Sequence, residues 1–142
     1  VMQAASRFIA QAEASGTIDP LDSPIIQQYR GIAAATASKV LEGSAGTDAD
    51  NLRVAFHLIG LVEMRPLVVD GALRASIDAR IDALDARLRT SQRADGGWGF
   101  ATNSASSDVV PSVWAGFAIR ARQPGANDPV AVANVEYLLG AQ

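Results

Sequence analysis

Two carboxylates, Asp48 and Asp50, stand two residues apart at the head of an apolar stretch that also carries the chain's single histidine, His57. Side chains of these types can move protons. By residue pattern alone, either Asp48 or Asp50 can cap a helix starting there, accepting its first free amides and complementing its dipole. His57 follows Arg53 by one helical turn. It is either a satisfied polar group in a mostly apolar interior or part of a ligand cavity, as general base or hydrogen-bond donor. Ser104, Ser106 and Ser107 form a polar loop in which nothing marks a nucleophile.

Composition removes whole classes of chemistry. The chain has no cysteine, which excludes disulfides, thiolate metal sites, cysteine nucleophiles and thioesters. A single histidine excludes a multi-histidine metal site, so neither a metal nor any other cofactor is expected. There are 11 Arg but one Lys, and the net charge is −3. Without a basic excess to neutralise phosphates, no nucleic-acid partner is expected. No apolar run approaches the roughly 18 residues a membrane span needs, and the expectation is a soluble chain.

The 142 residues fit one domain, with 27 Ala, 49% apolar residues and only eight aromatics. Helix punctuation predicts about six helices. The first runs from the start to about Ala14 and stops at Ser15-Gly16. Ser23-Pro24 opens the second, which ends at Glu42-Gly43. Asp48 or Asp50 opens the third, ending before Pro66. The fourth spans about Asp70 to Ser91 and closes into Asp95-Gly96-Gly97-Trp98-Gly99. Asp108 with Pro111 opens the fifth, ending near Gln123-Pro124-Gly125, and Asp128-Pro129 opens the sixth. Only Leu67-Val68-Val69 is β-prone, and it is short.

These helices fall into two kinds. The fourth has one apolar stripe, Leu73, Ile77, Ile81, Leu84 and Leu88, with charges off it that include Arg74–Asp78 and Asp85–Arg89 at i,i+4. The third is apolar on nearly every side, through Leu52, Val54, Phe56, Leu58, Ile59 and Leu61. So is the fifth, through Val109, Val113, Trp114, Phe117 and Ile119. Helices apolar all round are expected to be buried all round. Alternation of the two kinds predicts an all-α fold of helical hairpins in inner and outer layers.

A weak internal repeat accompanies this alternation. Gln11 lies five residues before Gly16 and Gln92 five before Gly97, each closing an amphipathic helix; Gln142 ends the sixth helix similarly. Gln92-Arg93-Ala94-Asp95-Gly96-Gly97-Trp98-Gly99-Phe100, followed by Ser107-Asp108 and an apolar helix, resembles the Gln–Trp repeat of the terpenoid cyclase/protein prenyltransferase α/α-toroid superfamily. The likeness covers about residues 48–142. It implies that Gly96 and Gly97 permit a positive-φ turn, that Trp98 packs across neighbouring hairpins, and that Gln92 bonds terminal carbonyls and amides. Six helices would be about half of a full toroid, and a half toroid would expose its inner face. The resemblance therefore implies a segment or half of an assembly, completed by another protein segment.

The superfamily's chemistries can be carried over only residue by residue. A prenyltransferase zinc site and a thioester both require cysteine, so neither can form here. Class II terpene cyclases protonate an alkene from the middle Asp of Asp-x-Asp-Asp at the start of an inner helix. The resemblance would make Asp50 of Asp48-Ala49-Asp50-Asn51 that donor, with Asp48 and Asn51 ordering it. The motif's last Asp is Asn51 here, and the usual Thr-Ala is Leu52-Arg53. Phe56, His57, Trp114 and Phe117 are the candidate lining of an apolar cavity; the rings either stabilise a carbocation by cation–π contact or are simply core. The implied function is a toroid lobe, incomplete as an enzyme alone, offering an apolar cavity or groove to an isoprenoid-like ligand. The alternatives are a non-catalytic protein-interaction module, like an alpha-2-macroglobulin toroid without its thioester, or a plain helical-hairpin scaffold.

Overall fold

A computed structural model describes residues 7, 10–11, 14–16, 23–43, 49–122, 125 and 127–141. Among them are five α-helices: α1 (Pro24–Gly43), α2 (Asn51–Met64), α3 (Gly71–Ser91), α4 (Val109–Ala121) and α5 (Pro129–Gly140). A 3-10 turn, Arg65–Leu67, links α2 to α3. Upstream, Arg7, Ala10, Gln11, Ala14 and Ser15 are helical, and Gly16 turns with φ 62°. The fold is all-α among the described residues, and none of its helices is long and apolar enough to cross a membrane.

Side-chain caps place the helix starts where the sequence puts them. Asp70 accepts from the Leu73 amide at 2.7 Å, and Asp108 from Val110 at 2.9 Å. Asp128 accepts from the amides of Val130 and Ala131, with Pro129 supplying a first-turn residue that has no N–H to satisfy. The α2 cap is Asp50; Asp48 and Gln142 lie outside the described residues. Pro66 ends α2 by tightening its last turn into the 3-10 segment. Leu67 and Val68, short as their β-prone run is, are both 1% exposed and close the core at that end.

The apolar stripe of α3 is buried: Ile77, Ile81, Leu84 and Leu88 lie in the core, with Leu73 packed against its edge. A fully buried Leu or Ile contributes roughly 1.5–3 kcal/mol. Helix α2 lies alongside α4, α3 packs across both, α1 rests on α2 and α3, and α5 on α4. Gly116 lets α4 and α5 close up, because a Cβ there would stand 2.0 Å from the Asn134 Oδ1. Asn134 Nδ2 donates across the same seam to the Ser112 carbonyl at 3.1 Å.

Three expectations change. Helices α2 and α4 are not buried all round: Phe56, Val110, Trp114 and Phe117 are exposed, because no described element covers that side. Asp85–Arg89 forms at 2.8 Å, but Arg74 does not pair with Asp78. Arg74 donates to the Val68 carbonyl, and Asp78 pairs with Arg65 from the preceding turn. Of the two turn glycines only Gly96 has positive φ, at 85°. Gly97 is required for space instead, since a Cβ would lie 2.6 Å from that of Ser107.

Candidate functional site

The Gly-rich turn after α3 organises one end of the molecule. Asp95 folds it locally, accepting from the Gly97 amide at 3.0 Å and the Ser107 hydroxyl at 2.7 Å. Those two bonds, the Ser107 hydroxyl foremost, hold the Asp95 carboxyl below the usual carboxylate range. Gln92 Nε2 donates to the Gly96 carbonyl and to the Val130 carbonyl of α5, both at 2.9 Å. Trp98 is fully buried, its Nε1 donating to the Leu88 carbonyl at 2.8 Å. Its backbone amide donates to Ser112 Oγ at 2.8 Å, which ties α3, the turn and α4 together.

The same turn anchors the starts of both apolar helices. The Asp108 amide donates to the Trp98 carbonyl at 2.9 Å, and the Asn51 amide to the Phe100 carbonyl at 2.8 Å. Helices α2 and α4 therefore begin at the same end of the molecule and run in the same direction. Asn51, 1% exposed, completes the joint. Its Nδ2 donates to the Gly99 carbonyl at 2.9 Å, and its Oδ1 accepts from the Ser91 hydroxyl at 2.8 Å. Sequence reasoning had Asn51 as a departure from an acidic motif and, by the resemblance, as a residue ordering Asp50. The structural signal was available in its type: an amide can donate and accept at once, which a carboxylate cannot.

Asp50, beside it, is exposed. One carboxylate oxygen accepts from the amides of Leu52 and Arg53, at 2.9 and 3.1 Å, in an ordinary N-cap. The four candidate lining residues separate into two places. His57 is half-buried and, with Thr36, Lys39, Val40, Gly43 and Arg53, lines an open polar depression of about 310 Å³ between α1 and α2. The aromatics lie together on another side of α2. Phe56 and Trp114 have ring centroids 4.8 Å apart at 56°, and Trp114 and Phe117 5.9 Å apart at 62°. Such tilted pairs are favourable edge-to-face packings. These rings are 45%, 38% and 57% exposed.

Among the described residues, no group of His, Asp and Glu side chains is arranged to hold a metal ion. Comparison with known proteins found no matching family, curated relative or solved structure.

Proposed function

We propose that the chain is a non-catalytic binding lobe of the α/α-toroid kind, with the aromatic face of α2 and α4 as its working surface for another protein. The observation that carries this reading is the exposure of Phe56, Trp114 and Phe117 in mutual contact, while Val54, Leu58, Leu61 and Ile119 of the same two helices are buried. Contiguous exposed aromatics of this kind mark contact surfaces, since a side chain left in water gains nothing for folding. Proton-initiated cyclisation is less well supported. An acid that protonates an alkene needs a dry enclosure, and Asp50 is exposed and occupied with helix amides. A second reading, an isoprenoid-like chain laid over the same rings, draws on their apolar character.

The test uses the two tryptophans. Trp98 is fully buried and Trp114 is 38% exposed. In dilute solution acrylamide should quench the wild-type emission, and the Trp114→Phe protein should retain only blue-shifted, poorly quenched light from Trp98. Equal quenching of both proteins where the chain is monomeric would mean that its own residues cover the face and that the proposal is wrong. Saturable protection of Trp114 by monomeric farnesol would reassign the surface to an isoprenoid.

A further inference from the structure

Arg53 and His57 stand one turn apart on α2, and Thr36, Lys39 and Gly43 follow one another at three and four residues on α1. That spacing puts each set on one face of its helix, and the two faces meet across the depression of about 310 Å³. Its volume is at the low end of small-ligand pockets, ~300–1,000 Å³. Val40, packed against the core, is the one apolar side chain in its lining, and every ionisable group there is a base. Lys39 is the single lysine of the chain. The carboxylates closest in sequence are Glu42 and Asp50. Neither lines the depression, and Asp50 is bonded to the Leu52 and Arg53 amides.

A second depression, of about 340 Å³, lies between α2, α3 and α4 and also holds two arginines, Arg65 and Arg122. There the chain answers each of them: Arg65 pairs with Asp78, and Arg122 with Asp82 at 2.8 Å. Among the described residues, no ion pair holds Lys39 or Arg53. Arg53 also stands in the first turn of α2, where the helix dipole disfavours a cation, so its charge does nothing for that helix. Two unmatched cations beside one histidine concentrate positive potential in a chain of net charge −3. We infer that the α1–α2 depression is a binding site for a phosphate monoester, held by Lys39, Arg53 and His57 with the Thr36 hydroxyl as a further donor. The placing of the donors favours phosphate over carboxylate. One arginine fork satisfies a flat carboxylate, whereas a tetrahedral phosphate turns its oxygens to separate donors, and here both walls supply them. The inference is independent of the aromatic face, which lies on another side of α2.

His57 is the chain's single histidine, so its imidazole gives one proton NMR signal that needs no assignment. Titration with inorganic phosphate, at fixed neutral pH and with ionic strength held by sodium chloride, should move that signal to saturation with a millimolar midpoint. Lys39→Gln and Arg53→Gln should each raise the midpoint about tenfold or more. Arg120→Gln, which removes an exposed cation at the far end of α4, should leave it unchanged. A shift that grows linearly and is matched by chloride alone would overturn the site, as would a midpoint moved equally by all three variants. Tighter binding of malonate than of phosphate would overturn the choice of ligand. Phenyl phosphate and an otherwise uncharged phosphoserine peptide then separate the two sources of the group. Tighter binding of the peptide assigns the site to a phosphorylated side chain, and tighter binding of phenyl phosphate to a small phosphate ester; both support it. Circular dichroism confirms that each variant is folded, and the wild-type titration against chloride carries the test if one is not.

Discussion

Replacing Asn51 with Asp changes one atom's hydrogen-bonding capacity with almost no change in shape. The native Nδ2 donates to the Gly99 carbonyl at 2.9 Å in a position 1% exposed to solvent. In Asn51→Asp, an ionised side chain would put a carboxylate oxygen against that carbonyl with no water to separate them. The folded protein escapes by protonating the acid, whose hydroxyl can then donate to Gly99. The folded-state pKa of the new carboxyl thus rises above the unfolded value of about 3.9, and folding takes up a proton. Destabilisation is slight below that value and grows by about 1.4 kcal/mol per pH unit above it, up to the folded-state pKa. That gives about 1.5 kcal/mol at pH 5 and up to about 4 kcal/mol at pH 7, against a usual domain stability of about 5–15 kcal/mol. Urea unfolding of variant and wild type at both pH values reads the difference. Equal destabilisation at pH 5 and pH 7, or a variant as stable as wild type at neutral pH, would refute the assignment of Asn51 as an obligatory donor.

Two further predictions concern the same turn. Gly96→Ala combines a positive φ of 85° with a Cβ 2.2 Å from the Ala133 carbonyl oxygen, so α5 must shift; a loss above about 3 kcal/mol is expected, lowering Tm by about 10 °C or more. Gly71→Ala, where nothing lies within 4 Å, is the control and should move Tm by under about 2 °C. On acidification, Asp95 and Asp128 should each withdraw stability. Asp95 is held low by Ser107 and Gly97; burial works against the Asp128 carboxylate, and the Ala131 and Val130 amides with Arg89 more than offset it. Both folded-state values are depressed, so their stabilisation is complete above about pH 4 and is lost as pH falls through them. Urea midpoints measured below about pH 4 should fall less steeply for Asp95→Asn than for wild type.

Helix positions were legible in the sequence because caps are local chemistry. An Asp or Ser accepts amides two or three residues on, so Ser23, Asp70, Asp108 and Asp128 mark starts without knowledge of the rest of the fold, while Asp50 was one of two candidates with Asp48. The stripe of α3 was legible for the same reason: its period belongs to one helix. What escaped depends on other elements. Apolar residues around α2 and α4 carry no statement of which neighbour covers each side, and the side holding Phe56 and Trp114 has none among the described residues. The Arg65–Asp78 pair spans the α2–α3 link, whose course no periodicity reveals. His57 and Phe56 were grouped as one lining; being consecutive on a helix, they face different sides, one toward Lys39 and the other toward Trp114.

The amide of Gln92 has an implication for how the chain assembles. One nitrogen closes the turn that follows its own helix and, through the Val130 carbonyl, grips the opening turn of α5. The end of α3 is thus locked by α5, as a course of masonry is locked by the course above it. Loosening α5 would release a constraint on the turn that holds Trp98 and, through Asn51, the head of α2. Opening events in such a chain propagate backward from the later hairpin to the earlier one, so amide exchange in the 92–101 turn should share the opening free energy of α5 rather than that of α3.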